Sequence, residues 1–351
     1  MTTRKGINRI LIYGEAWRGG MPHSVLLALT RLGYNVVIFE YEKYLSVSKF
    51  IINKLFNKFG YLLDQFYLKK RCAEINTKFI QQVEDFLPNL IIVMKGLHVL
   101  PESLEKIKKL GIPVVNWHSD DFFNPLYTMP YSKEAFALYD IHFSPRPHLF
   151  DEYKKLGAKN VAHLEIGFDP TVFYPIRLVP GNCIYDVSFV GSWSKNRERL
   201  IKRLCQFKVT VYGSGWDRAT SLRGMPNTSL MYKCVCLEDF SRVVGISKIC
   251  LNILTIENKD QINLRNFEIP ACGGFQLCDR SLRLTEIFKE GEEIALYEDE
   301  EELVDKIRYY LQHENERIKI AQNGYKAVIA RGHTYDARCK QLISVVESVL
   351  L

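Results

Sequence analysis

The residues best suited to chemistry fall in one stretch, Asn263-Leu264-Arg265-Asn266-Phe267-Glu268-Ile269-Pro270-Ala271-Cys272-Gly273-Gly274-Phe275. Arg265 and Glu268 stand three apart near the start of a predicted helix, so they share a face. A guanidinium there can hold a phosphate, and the carboxylate can accept hydrogen bonds from two ribose hydroxyls. Ala271 and Cys272 are small enough for close packing, and Gly273-Gly274 ends the helix before the next strand. A surface ion pair of little energetic worth is the alternative use of the same two side chains.

Three further loops carry candidates, each directly after a predicted strand. His118-Ser119-Asp120-Asp121 follows Val114–Trp117. His118 can hydrogen-bond a hydroxyl, and either Asp120 or Asp121 can act as general base. Alternatively, one aspartate caps the following turn. Gly14-Glu15-Ala16-Trp17-Arg18-Gly19-Gly20 lets backbone approach a ligand, with Gly14 on the donor side and Glu15 as another catalytic candidate. It lacks G-x-G-x-x-G spacing, and a tight turn would use the same glycines. Gly191-Ser192 opens a helix that carries Arg197, a bidentate phosphate donor at a positive helix end. Tyr212-Gly213 ends the next strand and is expected to line the same pocket, together with Asn263.

These loops need elements to position them. Apolar runs at Arg9–Tyr13, Val36–Phe39, Leu90–Met94, Val114–Trp117, Ile141–Ser144 and Val161–Leu164 read as buried strands, with helical patterns between them. A proline-bearing linker, Gly167–Asn182, precedes a second series at Val187–Val190, Val209–Tyr212, Ile249–Leu254, Phe275–Cys278 and Ile294–Tyr297. Strands alternating with helices imply parallel sheets. The fold class is therefore α/β, with two Rossmann-like domains facing each other across a cleft. The expected limits are 1–175, with a basic helical insertion over 43–86, then 176–332, then a helix over 333–351 that crosses back to the first domain. Ligands in such sheets lie beyond the carboxyl ends of the strands.

The chain has 351 residues and a net charge of +7, with 47% hydrophobic and 25% charged residues. That composition suits a globular protein with a sizeable core. The nine cysteines show no metal-ligand spacing and read as reduced thiols of a cytoplasmic protein. No apolar run is long enough to span a membrane. Much of the positive charge lies in Lys43–Lys78, a solvated helix face or a contact for an acidic membrane surface at the inner face. Nucleic-acid binding would need a recognised module or stacking aromatics, and neither is present.

Leu264-Arg265-Asn266-Phe267-Glu268 with Ala271-Cys272-Gly273-Gly274 resembles the LR-x-FE-x-x-ACG signature of the CgeB/YkvP spore-maturation-like glycosyltransferases, in the GT4-like GT-B group. Phe189-Val190-Gly191-Ser192 with Arg197, Lys248–Ile253, and Gly332-His333-Thr334-Tyr335 with Arg338 resemble that family's other motifs, in the same order. Gly167-Phe168-Asp169 with Phe173 and Pro175 resembles the hinge of GT4 enzymes. The similarity covers Val187–Val349, and the first half matches in pattern only. The resemblance implies a GT-B fold and transfer of a sugar from a nucleotide sugar (UDP-, GDP- or dTDP-linked) to an acceptor hydroxyl. No D-x-D carboxylate pair follows a strand, Asp120 and Asp121 being adjacent, so neither a metal nor a separate cofactor is expected. The resemblance also implies that Glu268 binds the donor ribose. Asp260 stands where GT4 enzymes usually carry another glutamate. Their pyrophosphate-holding Arg/Lys pair has no clean copy, and Arg197 and Arg265 are the expected substitutes. A non-catalytic sugar-nucleotide-binding or coat-assembly protein of the same fold is the alternative reading.

Overall fold

The computed structural model describes residues 6–44, 60–124, 128–129, 131–176 and 183–350. The chain forms two compact units, Met1–Glu165 with Tyr335–Leu351, and Ile166–Thr334.

The first unit runs β1 (Arg9–Gly14), α1 (Met21–Arg31), β2 (Asn35–Glu40), α2 (Gly60–Phe86), β3 (Leu90–Met94), α3 (Pro101–Lys109), β4 (Val114–Trp117), α4 (Ser132–Phe136), β5 (Ile141–Ser144), α5 (Phe150–Lys155) and β6 (Val161–His163). Its strands form one parallel sheet in the order β2-β1-β3-β4-β5-β6. β3 is buried along its whole length, which is why it reads as an unbroken apolar run. Proline in the first turn starts α1 and α3, as its fixed φ favours. Leu11, Tyr13, Phe39, Phe79, Ile91 and Val93 form the main core.

The second unit runs β7 (Tyr185–Val190), α6 (Lys195–Arg203), β8 (Val209–Tyr212), β9 (Thr228–Leu230), α7 (Glu238–Gly245), β10 (Ser247–Asn252), α8 (Arg265–Ala271), β11 (Gln276–Asp279), α9 (Leu282–Ile287), β12 (Ala295–Tyr297), α10 (Glu300–Gln312) and α11 (Glu314–Ala330). The parallel order is β12-β11-β10-β7-β8-β9. Val187, Phe189, Ile249, Leu251, Leu277 and Trp216 lie in its core. The last helix, α12 (Tyr335–Leu350), packs on α1 of the first unit, where Arg31 grips Asp336 with two hydrogen bonds of 2.9 Å.

Residues 166–175, expected to close the first domain, lie with the second unit. Phe168 bridges to Thr334, its N–H donates to the His333 carbonyl at 3.1 Å, and Phe173 packs edge-on against Phe240. β9, α7 and α9 were not anticipated. β9 is three residues long, and α7 has Leu237 at its N-cap, which offers no side-chain cap. Within the basic stretch, Lys49, Lys54 and Lys58 lie outside the described residues. Lys43 pairs with Glu40 at 2.8 Å and Arg71 with Glu74 at 2.7 Å. Among the described residues no helix is long and apolar enough to cross a membrane.

Candidate active site

In the second unit the chain leaves β7 for β8 and β9 on one side, then returns to β10 on the other. The crevice beyond the carboxyl ends of β7 and β10 is therefore the topological switch point, where open α/β sheets take ligands. Arg265 stands there. Its Nε donates to the carbonyl of Val190, the last residue of β7, at 3.2 Å. Its guanidinium lies 4.2 Å from the centre of the Phe240 ring and pairs with Glu268. The Arg265 side chain is 28% exposed and that of Glu268 only 5%. A buried carboxylate behind a half-exposed cation is not a surface ion pair, because removing either partner strands a charge.

Gly191, Ser192 and Gly213 close the edge beside it. A Cβ on Gly213, whose φ is +142°, would fall 1.9 Å from the Gly191 carbonyl oxygen and 3.2 Å from the Ser192 nitrogen. The Trp216 indole N–H donates to that same carbonyl at 2.8 Å. The absence of a side chain at Gly213 lets the two strand ends pack backbone to backbone beside Arg265. The Ser192 side chain is exposed.

Four expected donor contacts have other employment. Arg197, expected to hold phosphate, is buried. It donates to the Ile253 carbonyl at 2.8 Å, the Ser192 carbonyl at 3.0 Å and Thr255 Oγ1 at 3.1 Å. It thus ties the loop after β7 to the loop after β10 across the switch point. The Asn263 side chain exchanges two amide hydrogen bonds with Asn252, at 2.9 and 3.0 Å. The Tyr212 hydroxyl pairs with that of Tyr185 at 2.9 Å, and burial, aided by Tyr185, pushes its phenol up to about 12. Gly14 lies in the first unit. A Cβ there would come 2.8 Å from Pro22 Cβ, so glycine is required for packing between β1 and α1. Asp260 accepts from Asn258 at 2.6 Å. Cys272 touches Ser241 at 3.2 Å, and burial pushes its thiol up to about 12, consistent with a packing residue.

Asp279 escaped the sequence reading. Its two oxygens accept from the Leu254 N–H at 2.6 Å and the Tyr297 hydroxyl at 2.8 Å. Burial raises its pKa, and the Arg197 charge opposes that. Together Asp279 and Arg197 fix the backbone at Ile253–Thr255. The only signal was its place at a strand's end.

The carboxyl edge of the first sheet separates the two aspartates. Asp121 is buried and accepts the Phe123 N–H at 2.9 Å, so it caps the turn. Asp120 pairs with Lys95 at 2.9 Å. Lys95, also missed, follows β3 with a left-handed φ of +59°, and Gly96 follows at +83°, where a Cβ would come 2.8 Å from the Tyr139 hydroxyl. His118 is buried, against expectation for a substrate contact. Its Nδ1 lies 3.0 Å from the Asp120 carbonyl and its ring meets Phe122 edge-on, so it shapes the loop. Glu15 accepts the Tyr41 hydroxyl at 2.7 Å.

Comparison with known proteins follows the same lines. Residues 196–344 match a family model described as glycosyl transferase-like. The chain is 25% identical to spore protein CgeB of Bacillus subtilis (strain 168) over 266 residues, 71% of this chain and 80% of that protein. It is similar in structure to a sucrose-phosphate synthase from Thermosynechococcus elongatus, with TM-score 0.68 and 13% identity, over 97% of this chain and 98% of that one. It is also similar to HepE of Anabaena in complex with UDP-glucose, with TM-score 0.66 and 14% identity, over 97% and 100% of the two chains. The fold is that of the GT-B glycosyltransferases, and the resemblance to the CgeB-like glycosyltransferases stands.

Proposed function

We propose that this chain is a glycosyltransferase that draws a sugar from a nucleotide-sugar donor, with the diphosphate and ribose held on the second unit. The observation that carries the reading is the Arg265–Glu268 pair at the end of β7, beside the bare backbone of Gly191 and Gly213. Negative charge grows on the diphosphate as its bond to the sugar anomeric carbon breaks. A fixed guanidinium stabilises that charge with little reorganisation. Glu268 accepts the ribose hydroxyls, as the family resemblance implies. On the first unit, Asp120 takes the proton of the acceptor hydroxyl, and Lys95 orients it. UDP-sugars are the first donors to test, given the likeness to a protein solved with UDP-glucose.

A thermal-shift panel of UDP-, GDP-, dTDP- and CMP-sugars tests this, with donor hydrolysis followed in parallel. One nucleotide class should raise the Tm in proportion to saturation and be slowly hydrolysed. Stabilisation without any turnover would mark a binding protein, and no stabilisation by any donor would remove the reading. Contact of Lys43–Lys78 with an acidic bilayer is a separate proposal. Its check is sedimentation with phosphatidylglycerol vesicles, where binding should weaken as salt rises.

A further inference from the structure

Trp17 is 53% exposed, whereas Trp117 and Trp216 are fully buried. It lies between β1 and α1, on the carboxyl edge of the first sheet. The Gly20 N–H donates to the Trp17 carbonyl at 3.0 Å, and Gly19 holds the third position of this turn at φ +95°, the type II geometry. The turn folds the indole back on Gly20. A Cβ there would lie 2.9 Å from Trp17 Cε2 and 3.1 Å from Nε1. Glycine at this position therefore makes the seat for the ring. The indole is pinned along one edge and open elsewhere, so a ligand meeting it orders little that is not already ordered.

Carboxylates and a second exposed ring lie along the same carboxyl edge of the first sheet. Glu15 is held by the Tyr41 hydroxyl two residues before Trp17. On the loop after β4, Phe123 is 38% exposed and follows the Lys95–Asp120 pair. An exposed aromatic ring and carboxylates along one sheet edge suit a carbohydrate. The C–H face of a pyranose is weakly positive and meets the negative face of an aromatic ring, while ring hydroxyls donate to carboxylates.

Resting on the transferase reading, we propose that the acceptor is a carbohydrate, with one pyranose stacked on Trp17 and its hydroxyls donating to Glu15. The full chain is titrated with methyl glycosides of glucose, galactose, mannose and N-acetylglucosamine and with their disaccharides, following tryptophan emission. Glycerol serves as the polyol control, and Trp17→Phe identifies the Trp17 signal. At least one saccharide should change the emission saturably in the wild type, and neither glycerol nor the variant should show that change. With donor present, Trp17→Ala should raise the acceptor KM about tenfold, with Trp17→Phe recovering part of the loss. The proposal is overturned if no saccharide alters the emission, if Trp17→Phe responds like the wild type, or if only phosphatidylglycerol vesicles shift it. The titration needs no donor, so a failed donor panel would sink the transferase reading separately.

Discussion

The carbonyl oxygen of Gly191 lies where Gly213 would carry its Cβ, only 1.9 Å away. The ends of β7 and β8 are thus in direct backbone contact beside Arg265. Gly213→Ala must push them apart, at a φ of +142° that an alanine resists. Overpacking of this kind costs about 1–3 kcal/mol. Chemical denaturation should register that loss, and donor-induced stabilisation should vanish even at temperatures where the variant is folded.

Arg265→Ala has two effects that must be separated. It removes the guanidinium from the donor side and leaves the buried Glu268 carboxylate without its partner. The double variant Arg265→Met with Glu268→Gln removes both charges, so it should regain much of the stability that Arg265→Ala loses. Transfer should remain about 10²–10³-fold down in both, since one charge-stabilising donor is worth that much. Recovery of transfer in the double variant would mean that the pair serves packing alone.

Asp120 and Asp121 should part company on substitution. Asp121→Ala removes an acceptor for the Phe123 N–H and should cost about 1 kcal/mol of stability. Asp120→Asn keeps the shape but not the base, and should lower kcat about 10²–10⁴-fold with donor-induced stabilisation retained. Equal kinetic losses from both variants would contradict the division of roles.

His142 makes the first unit acid-sensitive. Burial lowers its pKa to about 4, with the nearby His118 acting in the same direction and the hydrogen bond to the Phe136 carbonyl opposing. The unfolded chain takes up a proton near pH 6.5, which the folded state refuses until about pH 4. Stability from this group is therefore complete above 6.5 and falls as the pH drops toward 4, by about 3 kcal/mol at most. His142→Gln should flatten this part of the curve of denaturation midpoint against pH.

Both parallel sheets were legible because strands covered on both faces show as apolar runs, β3 following Pro88 and ending before Gly96, β10 following Gly245. The signature around Arg265 and Glu268 was legible because two charges three apart must share a helical face. The roles of Arg197, Asn263, Tyr212 and His118 were not. Residue type shows that a group can hydrogen-bond, but not which partner is nearest. Arg197 finds its principal partner, Ile253, 56 positions away. Lys95 and Asp279 were missed for the converse reason. Each is a single charged residue at a strand's end, and its partner lies on a neighbouring strand or the loop after it.

The central claim is that Arg265 and Glu268 grip the anionic half of an activated sugar. Crystals soaked with the nucleotide sugar that most stabilises the protein test it most directly. The account predicts the diphosphate against the Gly191 and Gly213 backbone within hydrogen-bond reach of Arg265, and the ribose hydroxyls on Glu268. A nucleotide bound elsewhere on the chain, with the Arg265–Glu268 pair undisturbed and untouched, would contradict it.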